Sequence, residues 1–220
     1  MKFSACMPLF RKYATNSLDE DEFDSNYFQI GKMVKISINP QFKEASGYGD
    51  DALAEYIKEF NYAEISNDVT TIPMDASVAM FGIKKVTPQT PSTDPATYKD
   101  ENGQESNYGC FGFIYGEVVD GVKTYYVYYL PRVKFDLPGD EYETKGENIV
   151  LNNHTIAGRA FMDNVTSCWR EKTPYPTLTA AITALKAKVG GTLATAGNGG
   201  GEVIDPPPEE NGGDGSPEET

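Results

Sequence analysis

The sequence predicts a mainly β fold. We expect a two-sheet sandwich or barrel-like body with one flanking α-helix, long loops and a disordered acidic C-terminal tail. Three observations carry that expectation. The first is the run Tyr125-Tyr126-Val127-Tyr128-Tyr129-Leu130, aromatic and β-branched, which suits a pleated, half-buried surface. Upstream lies a second such run from Phe111 to Val119. Between them stands Asp120-Gly121, the dipeptide that accepts positive φ in a two-residue hairpin turn. The second observation is composition: 14 tyrosines and 11 phenylalanines outweigh a modest set of aliphatic helix formers. The third is that the clearest helical stripe is confined to one segment, residues 177–189.

Taken in order, residues 1–26 read as an N-terminal arm of mixed character, with the acidic cluster Asp19-Glu20-Asp21-Glu22-Phe23-Asp24 as a solvated loop. The body spans 27–195. Val34-Lys35-Ile36-Ser37-Ile38 alternates as a half-buried strand, and Asn39-Pro40 is expected to end it. In residues 52–60, Leu53, Ile57 and Phe60 fit a helical stripe with Asp51 as N-cap. Residues 75–81 predict a short helix, capped by Asp75 and closed by Gly82 in the left-handed region. Residues 87–108 predict a long polar loop with three prolines. Val133 and Phe135, then Ile149 and Leu151, continue the alternation, so the middle of the chain predicts an antiparallel meander. In the helix, Leu178, Ile182, Leu185 and Val189 share a face to pack on the sheet. Thr177 is its N-cap and Gly190-Gly191 its stop. Residues 196–220 are Gly, Pro and acid, too poor in apolar side chains to offset their ordering entropy.

Several short motifs add a family resemblance. Leu130-Pro131-Arg132-Val133-Lys134-Phe135, then Glu143-Thr144-Lys145-Gly146-Glu147-Asn148-Ile149, then Thr155-Ile156-Ala157-Gly158 resemble the major tail protein family of long-tailed, non-contractile bacteriophages. Tyr48-Gly49-Asp50-Asp51 and Phe81-Gly82 fit the same pattern, and the resemblance covers roughly residues 28–161. It implies a structural tail-tube protein and no enzyme. The implied assembly is hexameric rings stacked into a hollow tube, built in the host cytoplasm, carried in the virion and traversed by double-stranded DNA. Implied partners are other tail proteins: tape measure, tail terminator and distal tail. The resemblance also implies extended chain through residues 52–72, so we read 52–60 as strand against its helical stripe. Candidates for subunit contacts are the N-terminal arm and the 87–108 loop with Lys99, Asp100 and Glu101. Tyr48, Asp50, Asp51, Glu141, Lys145 and Glu147 complete the set. The acidic tail stands where the family pattern leaves room for a folded C-terminal domain.

Charge and chemistry narrow the alternatives. Net charge is −14, and the last twenty residues hold seven acids and no base, which leaves a body with 19 bases against 26 acids. Neither part favours phosphate backbones or anionic membranes. Cys6, Cys110 and Cys168 predict no disulfide framework. The one histidine, His154, falls in a predicted strand, which leaves no multi-histidine metal site. Gly197-Asn198-Gly199-Gly200-Gly201 lacks the Lys-Ser/Thr and helix of a phosphate loop. No cofactor set is legible, no apolar run reaches membrane-spanning length, and no signal-peptide pattern is present. Two other classes stay open. One is a secreted carbohydrate-binding or adhesion sandwich that uses the tyrosine run. The other is a glycosidase that uses two of Asp136, Asp140, Glu141 and Glu143.

Overall fold

The computed structural model describes residues 2–15, 22–49, 52–88, 95–139 and 153–194. The fold is mainly β, with one large mixed sheet and one small sheet. The elements are β1 (Lys2–Tyr13), β2 (Phe23–Gln29), β3 (Met33–Gly49), β4 (Ala52–Val69), α1 (Met74–Phe81), β5 (Lys84–Val86) and β6 (Thr97–Lys99). They continue with β7 (Tyr108–Val119), β8 (Val122–Phe135), β9 (His154–Phe161), β10 (Glu171–Tyr175), α2 (Leu178–Val189) and β11 (Thr192–Leu193). The large sheet runs β11-β2-β1-β7-β8-β9-β4-β3, with β10 added beside the first half of β8. The small sheet is β5 against β6.

Connectivity forces the large sheet to curl. Strands β2 and β3 stand six places apart in that order, about 29 Å if the sheet were flat. Only residues 30–32 join them, and such a link reaches at most about 14 Å. The sheet therefore closes on itself in a barrel-like way, and β3 comes to face β1. The Ile30 amide donates to the Pro8 carbonyl (2.9 Å) and the Thr70 amide to the Lys32 carbonyl (3.0 Å), which seals this corner.

The curl creates two cores. The inner one gathers Phe10, Ile65, Phe111, Leu130, Val133, Phe135 and Ile156, plugged by Met80 and Phe81 of α1. Phe135 meets the rings of Phe10 and Phe111 edge to face, at 6.0 and 5.4 Å. The outer core packs Leu9, Cys110, Ile114, Val127 and Tyr129 beneath Ala181, Leu185 and Val189 of α2. The helical stripe thus lands on the sheet as its spacing predicts. Thr177 accepts a hydrogen bond from the Ala180 amide (3.3 Å), as an N-cap does. Arg11 ties β1 to the far end of this helix by donating to the Val189 carbonyl (2.9 Å), and to β2 by donating to the Asp24 carbonyl (2.6 Å).

The hairpin turn at Asp120-Gly121 has φ of 51° and 81°, the two left-handed residues its dipeptide predicts. In β9 the alternation is clean, with Ile156, Gly158 and Ala160 inward. A Cβ on Gly158 would stand 2.7 Å from the Lys134 carbonyl oxygen and 2.6 Å from the Phe135 ring. Only glycine lets β9 lie that close to β8.

Several expectations are corrected. Residues 1–26 are not a separate arm. Their strand β1 lies inside the sheet, paired to both β2 and β7. Asn39-Pro40 does not end its strand, because β3 is the sheet's edge and Pro40 can pair with Ala63 without a donor to spare. A register irregularity between Met33 and Lys35 also turns Val34 out to solvent. The helical stripe of 52–60 lies in β4, so the extended reading holds there. Asp75 does not cap α1. Pro73 occupies that position, and Asp75 pairs with Lys85 (2.6 Å). Gly82 does close the helix at φ 71°. The 87–108 segment is not one long loop, since it contributes β6 and its last residues close α1. There Gln104 donates to the Phe81 carbonyl (2.9 Å), and the Asn107 side chain donates to that of Ala79 (3.0 Å). Ile149, Leu151 and the 196–220 tail lie outside the described residues.

Candidate functional site

Two surface features merit a function: an arm and a cleft. The arm is the distal part of the β3–β4 hairpin. Strand β4 pairs with β9 only from Ala63 onward. Past the Gln41–Tyr62 pair, the two strands continue together from Phe42–Phe60 to Gly49–Ala52. That is about 25 Å of two-stranded ribbon at ordinary strand rise. Every described side chain in 39–46 and 56–59 is exposed. Among them, Phe42 is 45%, Tyr56 52% and Ile57 47% accessible. Lys58 holds Glu44 at 2.6 Å and sits 4.7 Å over the Phe42 ring. Such a ribbon on its own is marginal in water, because an isolated hairpin buries too little. The Phe60 ring at its base stacks on Trp169 at 4.6 Å and anchors the arm to the body.

The cleft, of about 440 Å³, lies at the end of the curled sheet where β1 starts. Phe3, Ser4 and Ala5 form one wall, Ile36 and Ile38 of β3 the other, and Phe113, Tyr115 and Tyr128 the floor, with Arg170 and Lys172 also lining it. Stacked rings pave it: Phe113 on Tyr128 at 4.8 Å and Tyr115 on Tyr126 at 5.1 Å. The Lys172 ammonium stands 5.1 Å from the Tyr128 ring centre. Burial raises the Tyr128 hydroxyl above the ordinary tyrosine pKa, although Arg170 hydrogen-bonds it and opposes that shift. Strand β1 reaches this cleft through two bulges, where three of its residues oppose two of β7. Ser4 and Met7 take left-handed φ of 47° and 59° there.

The sequence candidates disperse. Tyr48 ends β3 at the tip of the arm, while Asp50, Asp51, Glu141, Lys145 and Glu147 lie outside the described residues. Lys99 pairs with Lys84 in the small sheet, Asp100 follows it, and Glu101 bridges to Lys84 at 2.8 Å. These three therefore sit far along the chain from the arm, on the segment that closes α1. Of the glycosidase acids, Asp136 is exposed and its amide donates to the Ala157 carbonyl, while Asp140, Glu141 and Glu143 fall outside the description. His154 opens β9 on the exposed face. The three cysteines are free, and burial pushes the Cys110 thiol up to about 11, which suits an inert thiol. Among the described residues, no group of acids, cysteines and histidine is placed to hold a metal.

Two side-chain placements change the picture the sequence offers. Arg132 is buried. It is 1% exposed, 3.1 Å from the equally buried Asp163 and 4.9 Å from the Tyr13 ring. Asp163 also accepts from the Thr166 amide (2.8 Å) and hydroxyl. Burial works against its charge, yet these hydrogen bonds and Arg132 outweigh it and hold the carboxyl below the ordinary aspartate range. The second change concerns the tyrosine run. Its outer face at Tyr129 is covered by α2 of the same chain and is not free for a subunit. No protein-family model and no curated protein matches this chain.

Proposed function

We propose that this chain is the repeating subunit of a long-tailed phage's tail tube, a structural protein that stacks in rings to form the conduit for DNA. The arm carries the reading. A ribbon with Phe42, Tyr56 and Ile57 in solvent gains its burial from a neighbouring subunit. The family resemblance of residues 28–161 supplies the kind of assembly. The bulk charge fits as well, because a mildly acidic body gives a passing duplex few phosphate contacts to stick to. Among the described residues no strand pairs with the outer edge of β3, which adds a second surface on which strands from a neighbour can pair.

Negative-stain imaging of the purified chain at high concentration tests this directly. Rings or tubes of uniform width are the expected result, lost when residues 44–58 are replaced by a short Gly-Ser link. A strictly monomeric chain at high concentration, with partner tail proteins supplied, overturns it.

A further inference from the structure

We infer that the aromatic cleft is a docking site for the acidic tail of the same chain, centred on Val203-Ile204. The inference is independent of the tail-tube reading. Four observations converge on it.

The first is direction. Strand β11 runs parallel to β2, with Thr192 opposite Asn26 and Leu193 opposite Tyr27. Strand β2 is antiparallel to β1, with Tyr27 opposite Arg11 and Gln29 opposite Leu9. A chain leaving β11 therefore heads towards the start of β1, where Phe3, Ser4 and Ala5 wall the cleft. The Ala194 amide still follows that course, since it donates to the Tyr27 carbonyl (2.9 Å).

The second is reach. Ser4 lies seven residues from Arg11 along β1 and two strands across from β11, about 25 Å by ordinary strand geometry. Nine residues separate Ala194 from Val203, and an extended chain of that length spans about 30 Å.

The third is charge. Among the described residues, the cleft lining includes two bases and no acid. Glu202 and Asp205 flank Val203-Ile204, and Glu209 and Glu210 follow three prolines. Arg170 and Lys172 are both exposed, placed to receive carboxylates while two aliphatic side chains settle on the rings.

The fourth is apolar content. Val203 and Ile204 are the only aliphatic side chains larger than alanine after Leu193, so the tail carries a single hydrophobic anchor. The cleft offers one aliphatic and aromatic surface of matching size, formed by Ile36, Ile38, Phe113 and Tyr115.

The test uses the full chain with the photo-reactive residue p-benzoyl-phenylalanine at position 204. Illumination followed by peptide mapping should join position 204 to peptides that hold Phe3, Ile36, Phe113 or Tyr128. In a mixture of isotopically light and heavy chains, the products should be light–light and heavy–heavy only. The yield should fall severalfold with Arg170→Gln/Lys172→Gln and with added salt, which screens exposed pairs. It should return when Arg170→Glu/Lys172→Glu is combined with Glu202→Lys/Asp205→Lys. Cross-links elsewhere, mixed light–heavy products, or a yield indifferent to Arg170 and Lys172 would each overturn the assignment. Because both bases are exposed, unchanged circular dichroism is expected for the glutamine variants, and the charge-swapped pair keeps the test valid if it is not observed.

Discussion

The molecule contains two long antiparallel hairpins, β7–β8 and β3–β4, and they have opposite fates. Both are built from strands of more than ten residues, paired antiparallel along their length with local register shifts. In β7–β8, residues 109–114 and 127–133 are all buried, because α2 covers one face and the curled sheet covers the other. In β3–β4, only the half that pairs with β9 is buried, with Ala63, Ile65, Asn67 and Val69 inward. The remainder runs out from the body with Phe42, Tyr56 and Ile57 exposed. Local composition differs, since residues 125–130 are aromatic and β-branched while the distal arm carries Lys43, Glu44, Lys58 and Glu59. Position in the sheet differs with it. A hairpin whose flanks are filled is core, and one whose flanks are empty is a surface waiting for a partner.

The most costly way to break the buried hairpin is at its bulge. Gly109 opposes Val133 and Phe111 opposes Leu130, so β8 carries one extra residue around Pro131-Arg132. A proline is tolerated there, and the inward parity switches from Tyr128 and Leu130 to Val133 and Phe135. Asp163 compensates the guanidinium left inside. Asp163→Ala strands that charge and should cost about 3–5 kcal/mol in urea unfolding. Asp163→Asn sharpens the point through pH. The native carboxyl sits below its ordinary value, so its contribution is complete above about pH 4, the unfolded value, and is lost as pH falls through the folded value. Wild type should therefore lose stability on acidification more steeply than Asp163→Asn. Equal acid limbs would show that folding does not lower the Asp163 pKa, and a wild type that gains stability on acidification would show that Asp163 is neutral in the native state.

Leu130→Ala, one position from the bulge and fully buried, should cost about 2–5 kcal/mol by loss of contact and the cavity left behind. Gly121→Val probes the other end of the same hairpin. A Cβ at Gly121 meets nothing within 4 Å, so the cost is backbone strain alone at φ 81°, about 1–3 kcal/mol. Thermal melting distinguishes these values, and an unchanged melting temperature for Gly121→Val would place the turn elsewhere.

The buried hairpin was legible in the sequence because its signals are local. The Asp120-Gly121 turn, the aromatic run and the α2 stripe each depend on neighbours within a few residues. What escaped depends on distant partners. That β1 lies inside the sheet follows from pairing with β7, more than a hundred residues away. Nothing near Arg132 in sequence announces its buried partner Asp163. Pro40 reads as a strand end because proline usually is one, and only an edge position reverses that. Of the candidate site, Tyr48 was singled out at the tip of the arm, and the tyrosine run supplied part of the cleft floor. The cleft as a whole combines residues from β1, β3, β7, β8 and the start of β10, which no spacing rule brings together.

The smallest stability effect belongs to the arm, and it gives the sharpest test of the contrast. Phe42 and Ile57 are about half exposed, so replacing each with serine removes little burial within the subunit. The double variant Phe42→Ser/Ile57→Ser should shift subunit stability by no more than about 0.5 kcal/mol, as surface changes do. Its effect on association should be large. If a neighbour covers both side chains, each contributes roughly 1.5–3 kcal/mol of burial per contact, and a ring repeats that contact at every subunit. Sedimentation velocity across a concentration series should then show wild type assembling where the variant stays monomeric, at nearly equal melting temperatures. Should the variant melt far lower, the arm packs on its own body, and the contrast between the two hairpins fails. Should it assemble normally, the arm is not the contact, and the outer edge of β3 becomes the surface to test.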